Sequence, residues 1–163
     1  EYDCSLTKTE FIGPTYNVAQ TSSVAFTSGM TLGIRLLPED VIHEVIVYAE
    51  APGYSEGVFK IRLDERITPW VDSQNTVYHW IIHRWTPNIN AAWHGSWIQC
   101  IPKNEWLLLT ITDQYNGYVK FELHGYHSYK MKVSLPNEGV TIRVDTGSTN
   151  SNSEISLACP PKN

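Results

Sequence analysis

Aromatic and histidine side chains are concentrated in one stretch, from Val77 to Cys100. This stretch contains Trp80, Trp85, Trp93 and Trp97 of the six tryptophans, and His79, His83 and His94 of the six histidines. An exposed tryptophan offers a flat apolar wall and one N–H donor, which suits stacking on a sugar ring or anchoring a protein partner. Strand alternation favours Trp80 with Ile82 for the core, whereas Trp93 and Trp97 lie in a loop-like segment and are the candidate ligand contacts.

The spacing of the histidines does not predict a metal centre. His79 and His83 are four residues apart, which on a strand corresponds to about 13 Å, too far to share one ion. His124 and His127 flank a glycine turn, where a chelate is conceivable, but solvated turn histidines explain the same spacing. We therefore expect no metal and no other cofactor.

The sequence motifs do not predict catalysis either. The Gly-x-Ser-x-Gly pattern from Gly53 to Gly57 lies in a predicted loop between two strands, not at the strand-to-helix turn that a nucleophile elbow needs, and there is no glycine-rich phosphate loop. The carboxylates Asp64 and Glu65 are adjacent, so on a strand they would point to opposite faces and could not flank one glycosidic bond. We expect a protein that is not an enzyme.

A charged row accompanies one alternating strand. Between Val58 and Asp64 the apolar residues fall on one face and the charged residues on the other, and the charged series continues as Arg62-x-Asp64-x-Arg66. Such a row can hold a hydroxyl-rich or acidic ligand through bidentate guanidinium geometry, although a ladder of surface salt bridges would look the same. The candidate ligand-binding set is Arg62, Asp64, Arg66, His79, His83, Trp93 and Trp97.

The elements that must position these residues are strands. Apolar and polar residues alternate in several short runs separated by turn signals every eight to twelve residues, which predicts about ten strands and no helix. The predicted strands include Val77 to Trp85, Trp97 to Ile101 and Asn104 to Thr112, with Trp106 and Leu108 in the core. A loop is predicted from Ile67 to Asn75, and hairpin turns at Asn116-Gly117 and His124-Gly125. The expected fold is an all-β, two-sheet antiparallel jelly-roll sandwich forming a single domain over residues 1–163.

Composition excludes several partners. The 163 residues are 42% hydrophobic and carry a net charge of -5 without clustered Lys or Arg, so nucleic-acid binding is not expected. No apolar run approaches the roughly 18 residues needed to cross a bilayer, so membrane insertion is not expected either. The chain starts at Glu1 without a methionine, which is typical of a processed secretory protein or an excised domain.

The cysteines favour an oxidising compartment. Cys4 and Cys159 lie near the two ends of the chain, and a disulfide between them would tie the termini together. Unrelated buried thiols remain the alternative. Cys100 would be left over, either buried and inert or paired between chains, so a homodimer stays open. We expect a secreted or extracellular protein.

The order of these features resembles the galectin-type carbohydrate-recognition domain over about Gly29 to Leu157. The framework segments that carry the resemblance are residues 29–38, Val45 to Tyr48, Trp106 to Thr112, Asn116-Gly117, Tyr118-x-x-Phe-x-x-x-Gly125 and Val140-x-Ile-Arg-Val. The resemblance implies a galectin-like sandwich and a lectin-type scaffold. It places the sugar-binding strand at Phe59 to Arg66 and the stacking tryptophan at Trp93 or Trp97.

The sugar-binding motif of that family is not intact here. Where galectins carry His-x-Asn-x-Arg, this chain has Arg62-x-Asp64-x-Arg66, and only Arg66 matches; an alternative register would place His79-Trp80-Ile81 there. After Trp93 the sequence is His-Gly-Ser, so the family's glutamate is missing. The resemblance therefore implies a recognition module that binds glycan through a rewritten site, or an extracellular protein–protein interaction domain whose sugar site is abandoned.

Overall fold

The computed structural model describes residues 15–16, 21–37, 44–87, 92–99, 101–146 and 154–157. Within these ranges the chain forms twelve strands and no helix. The strands are β1 (Thr15–Tyr16), β2 (Val24–Ala25), β3 (Met30–Arg35), β4 (Glu44–Glu50), β5 (Phe59–Val71), β6 (Val77–Trp85), β7 (His94–Ile98), β8 (Trp106–Asp113), β9 (Tyr118–Leu123), β10 (His127–Lys132), β11 (Thr141–Asp145) and β12 (Glu154–Ser156).

The described strands pair into two antiparallel sheets of six strands each. The first sheet has the order β1-β12-β3-β8-β9-β10, and the second has the order β2-β11-β4-β5-β6-β7. The prediction of an all-β, two-sheet antiparallel jelly-roll sandwich is confirmed. In the second sheet, β5, β6 and β7 are consecutive neighbours, which places the charged row and the aromatic stretch side by side.

One hydrophobic cluster fills the space between the sheets. In β5 the alternate residues Phe59, Ile61 and Leu63 are buried in this cluster, and in β6 Trp80 and Ile82 join them at 2% exposure each. Complete burial of such a side chain contributes about 1.5–3 kcal/mol relative to leaving it in water. The prediction that Trp80 and Ile82 belong to the core is confirmed, and the opposite faces of both strands are left for other contacts.

Three elements have bounds that differ from the sequence prediction, and one of them, the predicted strand Asn104 to Thr112, runs from Trp106 to Asp113. The predicted loop from Ile67 to Asn75 is wrong in its first half, because β5 continues to Val71 and only then turns through Asp72. The predicted strand Trp97 to Ile101 begins earlier and ends at Ile98. Both predicted hairpin turns are present, and Gly117 and Gly125 take the positive φ that such turns require, at 84° and 85°.

Strand β8 is apolar on both faces. Trp106 and Leu108 are buried as predicted, at 8% and 7% exposure, but they lie outside the cluster between the sheets. That cluster takes the alternate residues Leu107, Leu109 and Ile111 instead.

Among the described residues, no helix is long and apolar enough to span a membrane.

Candidate ligand-binding face

The outer surface of β5, β6 and β7 brings most of the predicted site residues together. Arg62 lies directly opposite His83, and His83 lies directly opposite Gly95 of β7. Because paired residues share a face of the sheet, these positions lie on the side away from the core. We call this surface the recognition face. It comprises Arg62, Asp64, Arg66, His83, Trp93 and Trp97.

Asp64 is the electrostatic centre of the recognition face. Its Oδ2 lies 3.8 Å from Arg62 Nη2, 3.6 Å from Arg66 Nε and 3.6 Å from His83 Nε2. Burial alone would raise the pKa of Asp64, but the contact with His83 and the charges of Arg66 and Arg62 outweigh burial and hold the pKa below its ordinary value of 3.8. Asp64 is therefore an ionised acceptor at neutral pH, while its neighbour Glu65 pairs elsewhere, with Lys103 at 3.3 Å.

The two arginines lie over the two tryptophans. The guanidinium carbon of Arg62 is 4.9 Å from the ring centroid of Trp93, and that of Arg66 is 5.9 Å from the ring centroid of Trp97. His83 meets Trp93 edge-to-face, with centroids 6.1 Å apart. Cation–π contacts of this kind order both partners, so the face presents guanidinium donors and aromatic rings in fixed relation.

Trp70 extends this arrangement, although sequence analysis placed it in a loop. Between Glu65 and Trp70 the pairing with β6 is interrupted by a bulge, and beyond it Trp70 pairs with Tyr78. The Trp70 ring stacks on Trp97 at 5.6 Å and 18°, and it also contacts Tyr78 at 5.5 Å. The signal that could have indicated the bulge is Pro69, because proline inside a strand is confined to edges and bulges.

Lys60 is a second residue that sequence analysis did not include in the site. It lies two positions before Arg62, and its Nζ is 4.3 Å from the ring centroid of Trp85 and 5.9 Å from that of Trp93. The Trp85 ring itself is buried, at 4% exposure. Because Lys60 lies on the same side of β5 as Arg62, it adds a third cation next to the Arg62–Trp93 pair.

Gly95 creates the space in which His83 lies. A Cβ at position 95 would be 2.7 Å from Ile81 Cγ2, 2.9 Å from His83 Nδ1 and 3.2 Å from His83 Cε1. These separations are shorter than van der Waals contact, so any other residue at this position would push the imidazole aside. Gly95 thus allows His83 to lie across β7 between Trp93 and Asp64.

Replacing Gly95 with alanine is expected to shift the His83 ring and to lower the free energy of unfolding by about 1 kcal/mol, because the added methyl overpacks the face. Urea denaturation measures the loss, and the NMR resonances of the His83 ring report its movement. Ser96→Ala, one residue along the same strand, is the matched control and should leave the His83 resonances in place. Unchanged His83 resonances in Gly95→Ala would contradict this account.

The remaining predicted site residues stand apart from the recognition face. His79 lies opposite the bulge, four residues along β6 from His83, which corresponds to about 13 Å. The cysteines Cys4, Cys100 and Cys159 lie outside the described residues, so the Cys4–Cys159 disulfide stays a prediction. Within the described ranges, no three His, Cys, Asp or Glu side chains are placed to hold a metal ion.

The second histidine pair has structural contacts. His124 Nε2 lies 2.7 Å from the hydroxyl of Thr110. The His127 ring stacks on Tyr129, with centroids 6.4 Å apart. Burial and the charge of Arg84 lower the pKa of His127, so this ring is neutral at physiological pH. The contact with Thr110 accounts for His124, whereas His127 keeps a buried Nε2 that has no hydrogen-bond partner among the described residues.

Comparison with known proteins gives similarity of fold at low sequence identity. No family model matches the chain, and no curated protein matches it in sequence. Xenopus laevis galectin-Ib aligns with a TM-score of 0.47 and 12% identity, over 91% of this chain and 97% of that one. A tetrameric galectin from the ball sponge Cinachyrella sp. aligns with a TM-score of 0.47 and 13% identity, over 90% and 96%.

An alginate lyase from Alteromonas sp. 272 also aligns, with a TM-score of 0.44 and 14% identity, over 85% of this chain and 57% of that one. The matched structures therefore include both galectins and an enzyme. These are similarities of the sandwich, and they assign no ligand to this chain.

Proposed function

We propose that this protein is a secreted, non-enzymatic recognition module that binds glycans through the recognition face. The observation that carries the proposal is the arrangement of Arg62 over Trp93 and Arg66 over Trp97, with Asp64 between the two arginines. These groups lie on one outer surface of the sheet, away from the core.

The chemistry of this surface fits a saccharide. A sugar ring presents an apolar face edged by hydroxyl groups, so it is bound well by an aromatic wall flanked by fixed donors and acceptors. Trp93 and Trp97 are half-buried, which leaves part of each ring accessible. The guanidinium groups supply donors and the ionised Asp64 supplies an acceptor, and hydrogen bonds to charged groups are stronger than neutral ones.

The recognition face is also organised before any ligand arrives. Trp97 is held by its stack on Trp70, and Trp93 is held between Arg62 and the edge of His83. A site whose side chains are already ordered loses less conformational entropy on binding. This favours a binding role for the aromatic residues over a role as loose surface groups.

Replacing Trp93 with alanine is expected to weaken glycan binding about tenfold or more, because one stacking wall and the packing of Arg62 are lost together. A glycan array followed by calorimetry on the strongest ligand measures the effect. Tyr115→Ala is the matched control, since Tyr115 is 83% exposed on the hairpin between β8 and β9, which belong to the other sheet. Absence of wild-type binding to every glycan tested would remove the lectin function.

An extracellular protein–protein interaction domain is the second candidate function. The observation that favours it is a group of exposed apolar side chains where β5 turns into β6: Ile67, Trp70, Val71 and Val77, at 80%, 44%, 49% and 42% exposure. Such groups anchor protein partners more readily than they bind sugars. Co-purification from extracellular material that is lost in Ile67→Ser and kept in Trp93→Ala would favour this function over glycan binding.

A further inference from the structure

Charge on the outer surface of the second sheet is segregated by strand. The outer side of β5 carries the cations Lys60, Arg62 and Arg66 and the single carboxylate Asp64. The chain as a whole has a net charge of -5. A local excess of positive charge in an acidic protein is a feature that the fold does not require, because these side chains lie away from the core.

The neighbouring strands carry the opposite excess. On β4 and β11, Arg143 is paired with Glu50 through two contacts of 2.7 and 3.4 Å, and its Nη1 lies 3.9 Å from Asp145. Glu44 lies directly opposite Asp64 in the β4–β5 pairing. The surface is therefore positive over β5 to β7, where the tryptophans lie, and negative over β4 and β11.

The cations of the recognition face are not neutralised by Asp64. Its contacts with both arginines measure 3.6–3.8 Å, whereas a direct charge-assisted N–H···O bond is about 2.7–2.9 Å. Arg62 also has a buried Nε without a hydrogen-bond partner among the described residues. Arg62 Nη2 also lies within hydrogen-bond distance of His83 Nε2, at 3.2 Å, and the other donor groups of the two guanidiniums are largely left for a ligand.

We propose, resting on the glycan-binding function above, that the recognition face selects acidic saccharides, those bearing carboxylate or sulfate groups, over neutral saccharides of the same size. The acidic group binds Arg66 and Arg62, and the sugar ring lies against Trp97 or Trp93. Arg66 is the accessible donor, with 42% of its side chain exposed. The carboxylates of β4 and β11 repel the acidic group, so the ligand lies over β5 to β7.

The test is calorimetric binding of matched saccharide pairs that differ in charge. The pairs are tetragalacturonate with its methyl ester, and a sulfated carrageenan-derived tetrasaccharide, which has no carboxylate, with its desulfated form. We expect at least one acidic member to bind about tenfold or more tightly than its neutral partner, and Arg66→Gln or Arg62→Gln to reduce that ratio severalfold. Lys132→Gln removes one exposed cation from β10 of the other sheet and is the matched control, expected to keep the ratio.

The outcomes separate this inference from the function on which it rests. Equal binding of acidic and neutral partners overturns acid selectivity and leaves glycan binding standing, whereas no binding by any saccharide overturns both. If Arg62→Gln and Arg66→Gln both leave the ratio of acidic to neutral affinity unchanged, the assignment of this selectivity to the recognition face is overturned. If an oligoglutamate of the same charge binds as tightly as the acidic saccharide, the surface binds anions without regard to the sugar, and the inference is also overturned. The uronate and carrageenan arms distinguish carboxylate from sulfate as the preferred group.

Discussion

Replacement of Trp80 by alanine is expected to lower the free energy of unfolding by about 3–5 kcal/mol. Trp80 is 2% exposed in the centre of β6, where it pairs with Glu65 on one side and Ile98 on the other, and it belongs to the cluster between the sheets. Deleting the indole removes its transfer free energy and leaves a cavity that the paired strands cannot close. Since domains of this size are stable by about 5–15 kcal/mol, the variant should be close to unfolding.

The matched comparison is Trp93→Ala, from the same aromatic stretch. Trp93 is half-buried and its ring contacts are with Arg62, Lys60 and His83, outside the core. We expect its loss to cost on the order of 1 kcal/mol. Urea denaturation monitored by circular dichroism measures both values. Equal destabilisation by the two substitutions would contradict the division of this stretch into a core residue and a ligand contact.

The parts of the fold that follow from local alternation were predictable from sequence. In β5 the series Phe59, Ile61 and Leu63 alternates with charged residues, and period-2 alternation is a property of neighbouring residues alone. The Arg62–Asp64–Arg66 row was predictable for the same reason, since it occupies the other face of that strand. Its position beside His83 depends on the pairing of β5 with β6, which alternation within one strand does not give.

The features that depend on pairing between distant strands were not predictable. Pro69 indicates a bulge before Trp70 but not its extent. Four residues of β5 lie between Glu65 and Trp70, whereas one residue of β6 lies between their partners Trp80 and Tyr78, and no local pattern encodes that difference. Strand β7 contains the sequence His-Gly-Ser-Trp-Ile, which has little strand propensity. It is a strand because β6 offers it an unpaired edge, so the strand begins at His94, three residues before its predicted start at Trp97.

Strand β8 shows a different limit of sequence analysis. The run Trp106-Leu-Leu-Leu is apolar at every position, so alternation cannot decide which residues face the other sheet. Trp106 and Leu108 were predicted for the core as alternate residues of the strand, yet the other alternate set, Leu107 and Leu109, lies in the cluster between the sheets. The ring of Trp106 instead receives the guanidinium of Arg35, its partner in the β3–β8 pairing, at 5.4 Å.

Asp64→Asn is expected to lower the free energy of unfolding at neutral pH by about 1–3 kcal/mol, because the variant leaves Arg62 and Arg66 facing each other without an ionised acceptor. Asp64 is 14% exposed, so solvent screens its contacts only in part. The charged groups that face it are Arg62 and Arg66 of β5 and His83 of β6, together with Glu44 across the β4–β5 pairing. The three basic groups stabilise its ionised form and Glu44 opposes them.

The pH dependence of this loss follows from the pKa of Asp64. Because its folded-state pKa is lowered below 3.8, the stabilisation is fully present above the unfolded-state pKa and disappears as the pH falls through the folded-state value. The difference in unfolding free energy between wild type and Asp64→Asn should therefore be constant from neutral pH down to about pH 5 and shrink below about pH 4.

Urea denaturation across this pH range measures the difference. Glu65→Gln, whose carboxylate pairs with Lys103, is the neighbouring control. A wild-type to Asp64→Asn difference that does not change between neutral and strongly acidic pH would show that the carboxylate charge does not stabilise the recognition face.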